Sequence, residues 1–590
     1  MCGIFGYVGR EQNAAEQTLK GLKQLEYRGY DSWGVAFVPT NLATIQIEKH
    51  VGKIGDAQLQ GENLISSLSI GHTRWATHGG VTEVNAHPHS ASDGSFAVVH
   101  NGIIENFQEI KESLAAKGYE FKSQTDTEVF VHLVSELHKT LQFTEAVQQA
   151  FLQLHGLNAV VVLSKTENLF IAIRKGSPLV AGKNEDGFYV ASDSTAIAEH
   201  VKDVYYLEDY DMIVCKANGI ELFDVRTLQR KALAWQVLDF PIEQITKGEF
   251  PNFFLKEIHE QPRVLLNVAD NLDTSVTEFA KKINHGTYFV GCGTASYAAL
   301  LATYLFGEVA KMLTYSNNAT EFLYQRQLLT PETFVTFISQ SGETIDLVEH
   351  IPLLNEKKVE FGAIVNRLGS TLERAAKYKV LLPAGPEQAV LATKSFIAMY
   401  ATLFLLAHAK VNHLEKAKEQ LHQSISAVQE LLTEEYKNNF VLPVVEKLVA
   451  SEHAFVIGRG VSYPTAMETA LKIKESTYLH AEGFAGGELK HGVIALIEKG
   501  TPCIILAPED SEYESIISNA IELKTRGAFV IGVSSKKNDV FDLWLPTKDA
   551  GLSSGMLHVI VAQLIAYYLT VKIGNDPDKP RNLAKSVVVK

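Results

Sequence analysis

The chain has 590 residues, 46% hydrophobic and 21% charged, and its 54 Lys and Arg against 68 Asp and Glu leave a net charge of −14. The length exceeds what one core fills and predicts about two to four domains. An acidic balance without a long basic block excludes nucleic acid or an anionic membrane as the main partner, whereas a small anionic ligand needs only one local site.

Four scattered cysteines (Cys2, Cys215, Cys292, Cys503) contain no Cys-x-x-Cys pair, which excludes a disulfide framework or zinc ribbon and fits a reducing, cytoplasmic setting. The opening residues lack a basic stretch ahead of an apolar one, so no secretory signal is expected. The most apolar segments, FIAMYATLFLLAHAK and MLHVIVAQLIAYYLTVK, carry His, Gln or Lys within or beside them and read as core helices, not membrane spans.

Residues 1–237 read as short strands: CGIFGYVG, WGVAFVP, SIGHTRWATHG, SFAVVHNGII, NAVVVLS, LFIAIRKGSPLVAG, GFYVASD and DMIVCKANGIELFD. Few helices interrupt them, chiefly AAEQTLKGLKQLEYRG and TEVFVHLVSELHKT, so a layered α+β domain is expected. The aromatic, proline-bearing stretch after residue 237 predicts a linker near 238–250 and a lead-in helix to 270. Beyond it strands and helices alternate: GTYFVGCG with the helix ASYAALLATYLFGEVAKML, then TFVTFISQSGET with one helix over IDLVEHIPLLNEKK. The order returns in HAFVIGRGVSYPTAMETALKIKE, TPCIILAPED and RGAFVIGVSS, with Gly291-x-Gly293 and Gly458-x-Gly460 about 165 residues apart. Two doubly wound parallel sheets follow, over 271–432 and 433–575, with a tail over 576–590 and ligands at strand carboxyl ends.

Cys2 is either a buried apolar residue or a nucleophile. Removal of Met1 from before it would leave a free α-amine of pKa about 7.7–8.0, a general base within the nucleophile's own residue. Arg74 offers a fork for a carboxylate and Asp126 a partner for an ammonium, while the Asn101 amide and the Gly102 N–H form a candidate oxyanion hole. A carboxylate, an ammonium and a thiol-cleaved side-chain amide together describe glutamine.

The motifs CGIFGYVG, EYRGYDSWGVA, IGHTRWATHG, NAHPH, HNGIIENF and TDTEV resemble, in order, the N-terminal nucleophile (class II) glutamine amidotransferases. The resemblance implies a layered αββα glutaminase fold with Cys2 as nucleophile. It places Arg74, Trp75, Thr77, His78, Gly102 and Asp126 in the glutamine pocket, with Asn101 and Gly102 as the oxyanion hole. His87 and His89 carry no metal role in it. No metal or cofactor is expected.

The second half decides the acceptor. Neither an SGG-x-DS loop nor a run of adjacent aspartates after an apolar strand is found. FISQSGETIDL instead gathers Ser339, Gln340, Ser341 and Thr344 at a helix start, a neutral cradle for a phosphate monoester assisted by the helix dipole; the plainer reading is an N-cap with spare polar residues. Glu468, Lys472 and Glu475 fall at i, i+4 and i+7, on one helix face, either as a site or as a solvated pair.

KEIHEQP, SQSGET, ATKSF, ALKIKES, HAEGFAGGELKHG and PRNLAKSVVVK resemble the glucosamine-6-phosphate synthase family, in which the glutaminase is fused to two sugar isomerase (SIS) domains. Its members use glutamine and fructose 6-phosphate and form dimers through the SIS domains. By that resemblance His491 opens the sugar ring, Glu475 moves the proton between its first two carbons, and Lys585 engages the open ketose as an imine. Thr294, Ser296, Ser339, Gln340, Ser341, Thr344, Val390, Glu468, Lys472 and Ala584 would contact the sugar phosphate. Ammonia would pass between the sites by a dry passage with Trp75 as its gate.

Three departures stand out. CGTASY replaces CGTSY, leaving open whether Ala295 or Ser296 meets the phosphate; Ala392 stands where serine is frequent; and the proline after His-Gly is missing from ELKHGVIAL. The alternatives are a related amidotransferase or deglycase for another phosphosugar, and a sugar-phosphate sensor without catalysis. A sensor would be expected to have lost Cys2, Glu475, His491 or Lys585, and all four are present.

Overall fold

The strand Gly3–Gly9 is apolar or glycine throughout apart from one tyrosine, and every residue of it is buried. Such a run belongs in the middle of a sheet covered on both faces. In the computed structural model, which describes residues 2–40, 44–60, 64–238 and 244–587, it lies between Gly187–Ala191 and Ser66–Arg74, antiparallel to both, in an eight-stranded sheet. A seven-stranded antiparallel sheet packs against one face. Ile4, Val8, Leu68 and Ile70 of the first sheet share a core with Val99, Val161, Phe170 and Ile213 of the second.

The helix Ala14–Leu25 covers the other face of the first sheet, setting Leu19, Leu22 and Leu25 with Phe5 and Tyr7. Glu128–His138 and Phe143–Leu152 cover the second sheet. The order is helix, sheet, sheet, helix. LFIAIRKGSPLVAG is not one strand: Leu169–Lys175 belongs to the second sheet and Val180–Lys183 to the first. Gly176, at φ +88°, and Pro178 lie where the chain changes sheet.

This unit comprises residues 1–242 with the tail 584–590, and a second unit spans 243–583. Of the expected linker, residues 239–243 lie outside the described residues. The second unit opens on the helices Phe253–His259 and Gln261–Asn271 and then builds two parallel five-stranded sheets. In the first sheet the order is Tyr315–Asn318, Tyr288–Gly291, Phe334–Ser339, Glu360–Val365, Tyr378–Leu381; in the second it is His480–Ala485, His453–Gly458, Pro502–Ala507, Phe529–Ser534, Leu543–Pro546. Both read 2-1-3-4-5 in their own chain order, as a duplication requires.

The apolar segments are core helices: Lys394–Lys410 is buried over nearly its whole length. The stretch Gly551–Lys572 is long and apolar enough to cross a membrane, but 89% of its apolar 18-residue window is buried inside the protein. One expected helix differs. IDLVEHIPLLNEKK splits into Ile345–Val348 and Ile351–Glu356, because Pro352 has no N–H for the carbonyl of Val348 and its ring collides there.

The Gly-x-Gly pairs have the same geometry in both copies. A Cβ on Gly291 would lie 2.5 Å from the Ala295 carbonyl oxygen, and one on Gly458 2.1 Å from that of Ser462, so each strand passes directly onto its helix. Gly293 and Gly460 both turn at φ +53°. Gly458→Ala should therefore lower stability by about 1–3 kcal/mol through overpacking. Urea unfolding followed by circular dichroism measures it; an unchanged midpoint would mean the helix can retreat.

Candidate functional site

Cys2 precedes the central strand of the first sheet, and Arg74 ends the neighbouring strand, so the register Gly3↔Thr73 brings the two motifs side by side. The Trp75 N–H donates to Cys2 Sγ at 3.2 Å, and the thiol donates to the Trp75 carbonyl at 3.5 Å. The Cys2 carbonyl accepts from Arg28 Nε at 3.1 Å and from Asn101 Nδ2 at 3.2 Å. Burial pushes the Cys2 thiol above its ordinary pKa, so nucleophilic use of it needs a base. Met1 lies outside the described residues.

Of the other residues expected to hold glutamine, Arg74 lies close enough to Cys2 and Asp126 for both to act on its charge. Arg74 is buried, and its guanidinium donates to the carbonyls of His78, Gly79 (3.3 Å) and Gly80 (3.2 Å), which shapes the loop that carries Thr77 and His78. Thr77 is exposed, while Trp75 and His78 are half-buried. The Trp75 ring stands edge-on to Tyr30 at 5.4 Å. Gly102 has φ +126°, where a Cβ would strike the Leu157 carbonyl, so only glycine fits. Asp126 is buried and accepts the Ile104 N–H at 2.8 Å. His87 and His89 are buried in a stack with His72, with ring centroids 4.2 and 4.9 Å apart along it; burial holds His87 and His89 well below the usual imidazole pKa. Among the described residues no group of three or more His, Cys, Asp or Glu is arranged for a metal.

In the second unit, the strand order of the first sheet reverses between the parallel neighbours Tyr288–Gly291 and Phe334–Ser339, the crevice where ligands of such sheets bind. Thr294 and Ser339 stand at its carboxyl edge. Ser339 Oγ accepts the Gly342 N–H at 3.0 Å and lies 3.1 Å from Thr344 Oγ1, while Ser341 Oγ accepts from Glu343 N at 3.2 Å. These hydroxyls brace a tight turn. The helix after it spans only Ile345–Val348, so the expected dipole assistance shrinks with it. Ser296 Oγ donates to the Gly293 carbonyl at 2.7 Å, and Ala295 is buried without a polar group. Gln340 is half-buried. Val390 is buried, and its N–H donates to the Asp578 carbonyl at 3.0 Å. In the second copy the equivalent crevice holds an ion pair, Arg459 Nε to Glu512 Oε2 at 2.8 Å.

Glu468, Lys472 and Glu475 are no solvated pair. Their side chains are 0%, 1% and 21% exposed, and Lys472 Nζ lies 3.4 Å from Glu468, 2.6 Å from Glu475 and 3.0 Å from Thr294 Oγ1. Thr294 comes from the first copy and the other three from the second. Thr294 Oγ1 in turn donates to Glu468 Oε1 at 3.2 Å. Burial, opposed by Lys472, raises the Glu468 carboxyl to about 8; burial would lower Lys472, but the two carboxylates outweigh it and keep the ammonium above its ordinary value. One ammonium thus sits between two carboxyl groups, of which the more deeply buried, Glu468, is the one pushed toward its protonated form. His491 is exposed, at the end of the turn Gly486–His491. Ala584 and Lys585 belong to the tail grouped with the first unit.

A family model described as a glutamine amidotransferase domain matches residues 72–199, and one described as a SIS domain matches 284–409 and 447–573. Over all of both chains the protein is 37% identical to the glutamine–fructose-6-phosphate aminotransferase [isomerizing] of Clostridium tetani and 39% identical to that of Thermococcus kodakarensis. The chain belongs to this family. Among solved structures, the C-terminal domain of glucosamine-fructose-6-phosphate aminotransferase from Francisella tularensis matches 57% of the chain and all of that domain, at 30% identity and a TM-score of 0.52.

Sequence reasoning missed His72, Ser192 and Arg28, which hold Asn101 and Cys2. His72 and Arg28 were visible within GHTRW and EYRGY; Ser192 had no signal beyond its polarity.

The raised Glu468 carboxyl has a sign-definite consequence. Its proton is kept in the folded state up to about pH 8 but lost from the unfolded chain near 4.5, so stability falls as pH rises between those values and levels off above. Glu468→Gln removes that slope. The variant should gain on the unaltered chain by about 1 kcal/mol or more between pH 5 and pH 8.5. Parallel urea-stability curves would contradict the protonated carboxyl.

Proposed function

We propose that the chain converts D-fructose 6-phosphate and L-glutamine to D-glucosamine 6-phosphate and L-glutamate. The observation that carries this reading is the placement of a residue-2 thiol against the Trp75 N–H beside an Asn101 amide, on a chain that matches these aminotransferases from end to end.

Removal of Met1 frees the Cys2 α-amine, which takes the thiol proton as Sγ attacks the side-chain amide of glutamine. Asn101 Nδ2 and the Gly102 N–H stabilise the oxyanion, ammonia leaves, and water releases glutamate from the thioester. Arg74, Trp75, Thr77, His78 and Asp126 hold the amino acid. His491 opens the sugar, Lys585 engages the ketose carbonyl as an imine, and ammonia displaces the lysine. Glu475 carries the proton from C1 to C2, and hydroxyls and N–H groups of Ser339–Thr344 with Thr294 and Val390 hold the phosphosugar. The elements fit a glutaminase domain over 1–237, a lead-in to 270, SIS copies over 271–432 and 433–575, and a tail to 590 that carries Ala584 and Lys585. A homodimer through the SIS domains, in the cytoplasm, completes the reading.

A second acceptor is favoured by two observations. Ser296 spends its hydroxyl on the Gly293 carbonyl and position 392 is alanine, so two donors are missing from the sugar site. Another ketose phosphate is the alternative. Product analysis decides: with glutamine and fructose 6-phosphate, glutamate and glucosamine 6-phosphate should form one for one. Cys2→Ala should abolish both products, and Lys585→Ala only the amino sugar. Glutamate without amino sugar from the unaltered enzyme would move the assignment to the other acceptor.

A further inference from the structure

The amide of Asn101 is nearly symmetrical in shape, so its two orientations differ only in whether Nδ2 or Oδ1 faces Cys2. Only the first can serve an oxyanion; the second would set oxygen against oxygen. The neighbours of the amide distinguish them. His72 Nε2 lies 2.9 Å from the His100 carbonyl and 3.1 Å from Asn101 Oδ1. A carbonyl oxygen only accepts, so Nε2 carries the proton, and it is therefore a donor toward Asn101 as well. The flipped amide would present an N–H to an N–H.

The tautomer is fixed as well. His72 is fully buried, its Nδ1 has no hydrogen-bond partner among the described residues, and burial lowers the ring to about 3, so it stays neutral with the proton on Nε2. Ser192 Oγ, 2.8 Å from Asn101 Nδ2, also accepts the Ile4 N–H at 2.8 Å. A hydroxyl can donate or accept, so Ser192 tolerates either orientation; His72 does not.

Nδ2 thus spends one hydrogen on Ser192 and directs the other, at 3.2 Å, to the Cys2 carbonyl. That second hydrogen faces the residue that carries the nucleophile. When it turns to an oxyanion, the Cys2 carbonyl keeps the Arg28 Nε donor at 3.1 Å, so the exchange leaves no buried carbonyl unpaired.

We infer that His72 is a positioning residue: with Ser192 it holds the Asn101 side chain so that Nδ2, not Oδ1, faces Cys2. The inference rests on the amidotransferase reading above. It predicts that loss of the His72 donor weakens the transition state and leaves glutamine binding intact.

The test compares His72→Leu with His72→Gln, whose Nε2 can reach the same position as a donor. For His72→Leu, kcat for glutamate release should fall at least 10-fold, toward the roughly 10²–10³ that follows loss of one oxyanion donor, with KM for glutamine within about threefold. Alkylation of Cys2 by iodoacetamide, which forms no oxyanion, should keep its rate. His72→Gln should recover kcat to within about fivefold. A thermal melt of each variant verifies folding; if the leucine variant does not fold, His72→Gln decides alone, retained kcat supporting the inference and loss contradicting it. Unchanged kcat in a folded His72→Leu, or slowed alkylation in proportion to kcat, overturns the positioning role. No glutamate release by the unaltered chain would instead overturn the amidotransferase reading, and the inference with it.

Discussion

The Cys2 carbonyl, bound by Arg28 Nε and Asn101 Nδ2 together, is the contact on which the first site depends. A residue next to a chain end has neighbours on one side only and moves unless something else fixes it. Here the fixing is done by groups that are themselves buried. Arg28 is paired with Asp193 at 3.6 Å, their side chains 2% and 0% exposed, and the Tyr27 hydroxyl donates to the same carboxylate. Removing one partner of such a pair leaves an uncompensated buried charge, which is far costlier than losing a surface pair. The network therefore holds Cys2 to the end of its strand with little freedom, and the αββα sandwich supplies the rigid frame that makes this possible.

The second site meets a different constraint, the burial of a lysine. Lys472 is admitted to the interior because two carboxyl groups, Glu468 and Glu475, and the Thr294 hydroxyl surround its ammonium. Thr294 begins a helix of the first parallel-sheet copy, whereas the three ionisable residues lie on a helix of the second. Neither copy carries the cluster alone. Duplication here has produced two crevices of unlike chemistry, one lined by Ser339, Ser341 and Thr344, the other closed by the Arg459–Glu512 pair.

Much of this was legible in the sequence because its signals are local. A Gly-x-Gly after an apolar strand declares itself within a few residues, whereas the i, i+4, i+7 set and the thiol beside the initiator methionine each had a plainer local reading, a solvated pair and a buried cysteine, that only the family resemblance set aside. What stayed hidden depends on distant partners: Ser192 meets Ile4 across 188 positions and Asn101 across 91, and no spacing announces that. Other features turned on backbone detail. CGTASY left open whether Ala295 or Ser296 meets the phosphate, and what no motif shows is that the Ser296 hydroxyl turns back on the Gly293 carbonyl. Pro352 cut a helix that periodicity alone had joined, and Gly176 with Pro178 carried one apolar run from sheet to sheet.

In the proposed reaction Cys2 chemistry delivers the nitrogen of the amino sugar. The direct measurement is isotope competition: glutamine labelled in its amide nitrogen is mixed with fructose 6-phosphate and excess unlabelled ammonium, and the amino sugar is analysed by mass. The account predicts that the product carries the label nearly undiluted, and that Cys2→Ala forms no labelled product. Product bearing mainly unlabelled nitrogen, or labelled product from Cys2→Ala, would contradict it.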